Sequence, residues 1–254
     1  EIVEIAALVQ RPDAQLVTLT GPGGVGKTRL ALAAAQVAGD AFADGIVFVP
    51  LAGIANDSLV CVAIARALDL RVMGDAPALD RISHHLADKR MLLVLDNFEH
   101  VVEASARLSR LLHESPGVTA LVTSRIRLRL SLEREYPVVP LPLPAHGSQP
   151  STSPAVQLFL QRMSPRATGI STTEIEAISA QIVGHLDGFP LAIELAAART
   201  AVLSPSALLQ RLAQRLPLLT GGARDLPPRQ QTMRATIAWS YDLLEPRAQQ
   251  FFRS

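Results

Sequence analysis

Cysteine and aromatic residues are scarce in this chain of 254 residues, and neither sign of charge is in excess. A single cysteine, Cys61, excludes an intramolecular disulfide and favours a reducing, cytoplasmic compartment, where it would be a small buried hydrophobe. Lys and Arg number 24 against 23 Asp and Glu, and no dense basic tract could follow a nucleic-acid backbone. No apolar run reaches the roughly 18 residues of a membrane span, and a basic signal-peptide segment is lacking. The composition therefore argues against membrane insertion, secretion and direct nucleic-acid binding.

Hydrophobic residues, by contrast, make up 48% of the chain, which excludes disorder as its main state. The six histidines show no metal-ligand spacing with one another or with cysteine, so a histidine metal site is not expected. The chain begins at Glu1 and ends in an apolar, basic stretch at Ser254, which suggests a fragment of a longer protein.

Short β-branched runs alternate with helical patterns from residue 16 to about residue 140, which is typical of an α/β fold with a parallel sheet. The pattern predicts five strands, at 16–20, 46–49, 91–95, 118–123 and 136–139. Helices are predicted at 28–37, 58–68, 78–87 and 101–113. The first, third and fourth strands are mostly apolar, so we expect them at the centre of a five-stranded parallel sheet.

A proline-rich linker then separates this region from a second half with only helical patterns. Helix starts are predicted at Ser153-Pro154, at the capping box Ser171 to Glu174, and at Ser204-Pro205 with Leu208, Leu212 and Leu216 in line. The segment 186–191 interrupts one helix and starts the next with Pro190 in its first turn. The domain prediction is 1–145 for the α/β domain, 146–226 for a helical bundle and 227–254 for the opening of a third core.

Residues 21–28 carry the strongest motif, Gly-Pro-Gly-Gly-Val-Gly-Lys-Thr, which fits the phosphate-binding P-loop. It lies between a predicted strand and an Ala/Leu-rich helix, as its mechanism requires. The alternative is an ordinary glycine-rich turn between strand and helix, but such a turn would not need both Lys and Thr in register. Backbone N–H groups would face the phosphates, Lys27 would reach the β- and γ-phosphates, and Thr28 would ligate Mg²⁺. The candidate nucleotide-binding residues are Gly21, Pro22, Gly23, Gly24, Val25, Gly26, Lys27, Thr28 and Arg29.

The strand at 91–95 ends in Asp96, which has the form of a Walker B acid and would bind Mg²⁺ through water. Asn97 follows, where many P-loop ATPases place a carboxylate, and an amide can orient the attacking water but cannot accept its proton. Glu99 is the nearest substitute base; the alternative is an exposed acid at a helix start. Arg125, after the fourth strand, is a candidate γ-phosphate sensor, or else an ordinary surface arginine.

These motifs, together with 188–197 (Gly-Phe-Pro-Leu-Ala-Ile-Glu-Leu-Ala-Ala) and 233–244, resemble the NB-ARC domain of STAND regulatory ATPases. The likeness spans nearly the whole chain in family order and is nearest to the branch found in bacterial LuxR- and SARP-like transcriptional regulators. It implies a switch that ADP holds closed and that ATP opens toward homo-oligomers. It also implies that Pro190 packs near the adenine, that Arg125 is the sensor arginine, and that residues from Met233 begin a winged-helix domain.

The resemblance further implies sensor and output domains elsewhere in the protein, with ATP, ADP and Mg²⁺ as cofactors. The family's adenine-contacting motif would precede Glu1, with Glu4 and Ile5 at the tail of its helix, and Asn97 replaces an acid common in eukaryotic members. Rival interpretations are a small-molecule kinase, a motor or nucleic-acid-dependent ATPase, and a module that binds nucleotide without hydrolysing it. No guanine-reading motif is present, which mildly favours ATP.

Overall fold

The computed structural model describes residues 1–70, 78–145, 147–164 and 171–212. The chain forms two compact units. Among the described residues, the first joins Glu1–Pro22 to Lys27–Val138, and the second joins Gly23–Gly26 to those between Val139 and Leu212. The described residues do not include residues 213–226 of the predicted bundle, to which Leu216 belongs. They do not include the predicted winged-helix segment 227–254 either.

The first unit contains a five-stranded sheet in which all strand pairs are parallel, as the sequence predicts. The strands are β1 (Leu16–Thr20), β2 (Ile46–Pro50), β3 (Met91–Asp96), β4 (Val118–Ser124) and β5 (Glu133–Pro137). Their order across the sheet is β2-β3-β4-β1-β5. Every residue of β1, β3 and β4 is buried, which confirms the prediction that the three apolar strands lie at the centre.

The predicted bounds of the fifth strand, 136–139, are wrong. The strand begins three residues earlier, because Leu16 pairs with Glu133 and Thr20 pairs with Pro137. Glu-Arg-Glu-Tyr-Pro lacks the apolar pattern of a buried strand since β5 is an edge strand, and its polar side chains bond to neighbouring elements. Thr20 donates to Glu135 at 2.6 Å. Polar contacts of this kind leave no periodic signal in the sequence.

The described part of this unit contains five α-helices: α1 (Ile2–Val9), α2 (Lys27–Ala38), α3 (Val60–Ala67), α4 (Ala78–Leu86) and α5 (Ser105–Glu114). The pattern places α2, α3 and α4 within two residues of their bounds. It starts α5 four residues too early, because two short 3₁₀ turns at 98–100 and 102–104 precede that helix. α1 packs against α2 and buries Ile5, Ala6 and Val9, and the core lies between sheet and helices.

The second unit contains α6 (Pro154–Arg162), α7 (Thr172–His185), α8 (Pro190–Arg199) and α9 (Pro205–Arg211). All begin where the sequence predicts, three of them with proline in the first turn. Ser171 and Ser204 accept hydrogen bonds from the backbone N–H groups of Glu174 and Ala207. Ser153 instead donates to the carbonyl of Pro142, which ties the proline-rich segment to α6.

The turn between α7 and α8 contacts the proline-rich segment that precedes α6. Asp187 and Gly188 adopt positive φ angles of 51° and 70°. A side chain at Gly188 would collide with the carbonyl oxygen of Leu141, whose N–H donates to the Gly188 oxygen at 3.0 Å. The close approach explains the glycine.

None of the helices in the described ranges combines the length and apolar character that crossing a bilayer demands.

Candidate nucleotide-binding site

The glycine-rich loop between β1 and α2 depends on backbone conformations that glycine adopts readily. Gly21, Gly24 and Gly26 have φ angles of 150°, 82° and 103°. Gly24 is also close to α8 within the second unit: Leu191 N–H donates to its carbonyl at 3.2 Å, and an added Cβ would lie 3.0 Å from the Leu191 Cβ. Gly21, Gly24 and Gly26 therefore have a conformational reason to be glycine, and Gly24 has a steric reason as well.

Lys27 begins α2 and is only 8% exposed. Its Nζ donates to the carbonyl oxygens of Gly21 at 2.7 Å and Pro22 at 3.1 Å. Burial and, to a smaller extent, the charge of Arg125 lower its pKa from an ordinary 10.5 to about 8, while Glu99 and Asp96 oppose the shift. The ammonium group is thus held beside the loop in surroundings that favour a further negative charge.

Asp96 ends β3 and forms the centre of a buried hydroxyl network. Its Oδ1 accepts hydrogen bonds of 2.6 Å from both Thr28 of α2 and Thr123 of β4. The geometry follows from the strand order, because β4 lies between β3 and β1 and brings the ends of all three strands to one edge. The predicted pair Thr28 and Asp96 is therefore brought together directly.

Thr123 is a site residue whose role the sequence analysis missed. Besides donating to Asp96, its hydroxyl oxygen accepts the backbone N–H of Asn97 at 2.9 Å. A threonine in an entirely buried strand is a signal that could have identified it, since a buried hydroxyl needs partners. Thr123 therefore fixes both the Walker B acid and the residue after it.

Asn97 adopts a left-handed conformation with φ 64° and ψ 53°. Asparagine tolerates this region better than most residues other than glycine, so the backbone supplies a local reason for an amide at this position. Its Nδ2 donates to Glu99 Oε1 at 3.4 Å. The side chain thus faces a neighbouring carboxylate.

Glu99 and Arg125 form a buried ion pair at the same edge of the sheet. Glu99 Oε1 lies 3.2 Å from Arg125 Nε, and the two side chains are 3% and 14% exposed. This burial is inconsistent with the alternatives of an exposed helix-start acid and an ordinary surface arginine. Glu99 is engaged with a cation, which constrains its use as a base.

The other candidate residues differ in burial. Val25 is 4% exposed, whereas Arg29 is exposed on α2. Pro190 begins α8 within the second unit, and a Cβ at Gly26 would lie 4.0 Å from its Cγ. The role of Arg29 in nucleotide binding stays a prediction.

The residues present fit a magnesium nucleotide. Thr28 and Asp96 supply hard oxygen donors 2.6 Å apart at the end of the P-loop, which suits Mg²⁺. Within the described ranges, no group of three or more His, Cys, Asp or Glu could hold a metal by itself. Phosphate oxygens and water would therefore have to complete the coordination, as is usual for Mg²⁺.

A phosphate-binding loop after β1, an aspartate after β3 and a parallel sheet with β4 between those strands define the class: this unit has the fold of P-loop NTPases. Residues 10–132 match the family model described as an AAA domain. Nucleotide binding and ATPase activity are the expected functions of that class.

The chain is homologous to bacterial regulators over most of its length. It is 39% identical over 241 residues to a Mycobacterium tuberculosis protein named as an HTH-type transcriptional regulator, covering 94% of this chain and 26% of that protein. It is 33% identical over 249 residues to the regulatory protein AfsR of Streptomyces griseus, covering 92% and 23%. The chain thus spans about a quarter of the length of these relatives.

A solved structure shares the fold at low sequence identity. Cdc6p of Pyrobaculum aerophilum superposes with a TM-score of 0.55 and 14% identity, over 84% of this chain and 61% of its own. At this identity the likeness concerns the architecture alone, and it agrees with the P-loop NTPase fold of the first unit.

Proposed function

We propose that this chain is a nucleotide switch of the NB-ARC, STAND type that binds ADP and ATP with Mg²⁺, hydrolyses ATP slowly and regulates a longer protein. The observation that carries the proposal is the cluster at the end of the P-loop. There Lys27, Thr28 and Asp96 are joined by hydrogen bonds or lie close together, and the ion pair of Glu99 and Arg125 lies beside them. Homology to regulatory proteins supports the regulatory part.

The residues of the site divide the work between binding and sensing. Lys27 and the loop N–H groups would hold the phosphates, and Thr28 and Asp96 would hold Mg²⁺, whose charge would offset that of the phosphates. Arg125 is suited to detect the third phosphate, because a guanidinium donates to planar or tetrahedral anions in a fixed fork. Lys27, Thr28 and Asp96 are preorganised by the contacts described above.

Slow hydrolysis is expected from the residues that follow Asp96. Asn97 cannot accept a proton, and Glu99 is paired with Arg125 at 3.2 Å. General-base catalysis contributes on the order of 10²- to 10⁴-fold, so a site without a free base should turn over far below the roughly 10 s⁻¹ typical of enzymes. The nucleotide state would then persist long enough to act as a signal.

The proposal is tested by titrating the protein with ADP and ATP in the presence of Mg²⁺ while measuring phosphate release in the same samples. Lys27→Ala is the blank. Tight ADP binding with slow turnover is the expected result. Fast turnover with weak ADP retention would refute the switch and favour a motor-type ATPase, and binding without any turnover would indicate a module that only binds nucleotide.

Two finer features of the proposal have separate tests. If Pro190 packs on the adenine, Pro190→Ala should weaken ADP binding while inorganic triphosphate binding stays unchanged.

If ATP drives self-association, light scattering should show a larger mass with a non-hydrolysable ATP analogue than with ADP. Sensor and output domains elsewhere in the longer protein would couple this change to transcription.

A further inference from the structure

Phosphate binding by the P-loop does not by itself require a buried ion pair such as that of Glu99 and Arg125. Glu99 Oε1 forms an ion pair with Arg125, whose Nε lies 3.2 Å away, and accepts a hydrogen bond of 3.4 Å from Nδ2 of Asn97. Its Oε2 is buried and accepts no hydrogen bond from the described residues. A buried carboxylate of this kind is costly unless a cation stays beside it, so Glu99 depends on its cationic neighbours.

The pair also belongs to the phosphate end of the site. Arg125 directly follows β4, next to β1 and its P-loop. Of the two carboxylates near Lys27, Glu99 has the larger influence on the lysine, and Arg125 acts on it with the opposite sign. Lys27 and Arg125 therefore form, with the carboxylates of Glu99 and Asp96, a group of two cations and two anions, to which an incoming γ-phosphate would add negative charge.

We propose that Glu99 is a positioning residue that competes with the γ-phosphate for Arg125, so that the pair stays closed with ADP and opens with ATP. The inference rests on the proposed nucleotide site. A guanidinium can donate its parallel N–H groups to one carboxylate or one phosphate, and ATP offers acceptors at the third phosphate that ADP lacks. Glu99 thereby lowers the preference for ATP over ADP and sets the nucleotide ratio at which the site changes state.

The experiment compares Kd values for ADP and for a non-hydrolysable ATP analogue, each with Mg²⁺, by calorimetry. The variants are Glu99→Gln, Arg125→Ala and the double variant. Glu103→Gln is the matched control, because Glu103 is an exposed acid four residues later. Glu99→Gln frees Arg125 from its carboxylate, so the ratio Kd(ADP)/Kd(ATP analogue) should rise by on the order of tenfold. Glu103→Gln should leave the ratio unchanged.

Double-mutant analysis separates competition from a general charge effect. In the Arg125→Ala background, Glu99→Gln should no longer change the ratio. An unchanged ratio in the single variant, or an equal rise with and without Arg125, would overturn the proposal. A loss of turnover with an unchanged ratio would also overturn it and would identify Glu99 as a general base instead. Failure of the unmodified protein to bind either nucleotide would refute the proposed function itself.

A measurement on the unmodified protein covers the case in which Glu99→Gln does not fold. Nitrogen-15 labelling of arginine, with the Arg125 Nε–H resonance assigned by its loss in Arg125→Lys, reports the partner of that group directly. The resonance should move between the ADP and ATP-analogue complexes. The same resonance position in both complexes would overturn the proposed exchange.

Discussion

Replacing Lys27 with methionine is expected to change how the free energy of unfolding depends on pH. Methionine keeps the length of the side chain but has no ammonium group. The pKa of Lys27 falls from 10.5 to about 8 on folding, so between these values the unfolded chain binds more protons than the folded protein. The stability of the unmodified protein should therefore rise with pH through this window, relative to the variant.

The magnitude follows from the two pKa values. Their full difference corresponds to about 3 kcal/mol, of which about 2 kcal/mol should be gained between about pH 7 and about pH 9.5. Below pH 8 the lysine is charged in both states, and the cost of burying it is fully present. The Lys27→Met variant lacks this gain, so the stability difference between the two proteins should shift by about 2 kcal/mol in favour of the unmodified protein.

Urea unfolding followed by far-ultraviolet circular dichroism at both pH values measures this shift. Other titrating groups, such as Tyr136, whose pKa is raised to about 12 by burial and by Glu4, are present in both proteins and cancel in the comparison. A difference that stays constant within about 0.5 kcal/mol, well below the expected shift, would refute the reasoning. It would mean that the ammonium is not desolvated as its 8% exposure indicates.

Three further predictions concern backbone and hydroxyl groups. Gly188→Ala should destabilise the helical unit by more than Gly147→Ala in thermal melts, because both have positive φ but only Gly188 faces the Leu141 carbonyl; equal losses would contradict this. Asn97→Ala should lower the free energy of unfolding by about 1–2 kcal/mol and Asn97→Gly should lower it less, because the backbone of residue 97 is in the left-handed region. A larger loss for Asn97→Gly than for Asn97→Ala would be inconsistent with that backbone conformation. Thr123→Val should lower the free energy of unfolding by about 1–3 kcal/mol and weaken Mg²⁺-dependent ADP binding, because it removes the hydroxyl that bonds to Asp96 and to the Asn97 N–H. Thr123→Ser should retain the stability and the affinity. Calorimetry that shows the same stability and ADP affinity for Thr123→Val as for the unmodified protein would exclude the network.

Much of the fold could be predicted because it is encoded locally. Buried parallel strands are continuous apolar runs, and helix starts are marked by Ser, Pro and capping residues, so the central strands and α6 to α9 are placed correctly. The prediction fails at β5 and at the start of α5. An edge strand such as Glu133–Pro137 has polar partners distant in sequence, and 3₁₀ turns before a helix share its periodicity.

In the candidate site, too, the sequence identifies residues that belong to local motifs but not the contacts between residues distant in sequence. The P-loop is recognisable because its glycines, Lys27 and Thr28 are contiguous, and the end of the apolar run at 91–95 marks Asp96. Glu99 and Arg125 can be selected as candidates from the sequence, but their mutual contact cannot, because it depends on two strands lying side by side. The same holds for the contact of Thr123 with Asp96, which are 27 residues apart.

The sequence by itself therefore determined the α/β class and the central strands and predicted a phosphate-containing ligand, since turn, cap and strand patterns act over a few residues and the backbone of a contiguous P-loop is suited to phosphate. The tertiary structure alone decided the electrostatics of the site. Burial lowers the pKa of Lys27, strand order joins Asp96 to two hydroxyls, and packing leaves Glu99 with Arg125. These properties depend on which distant groups exclude water together, and solvent exclusion exists only once the chain has folded.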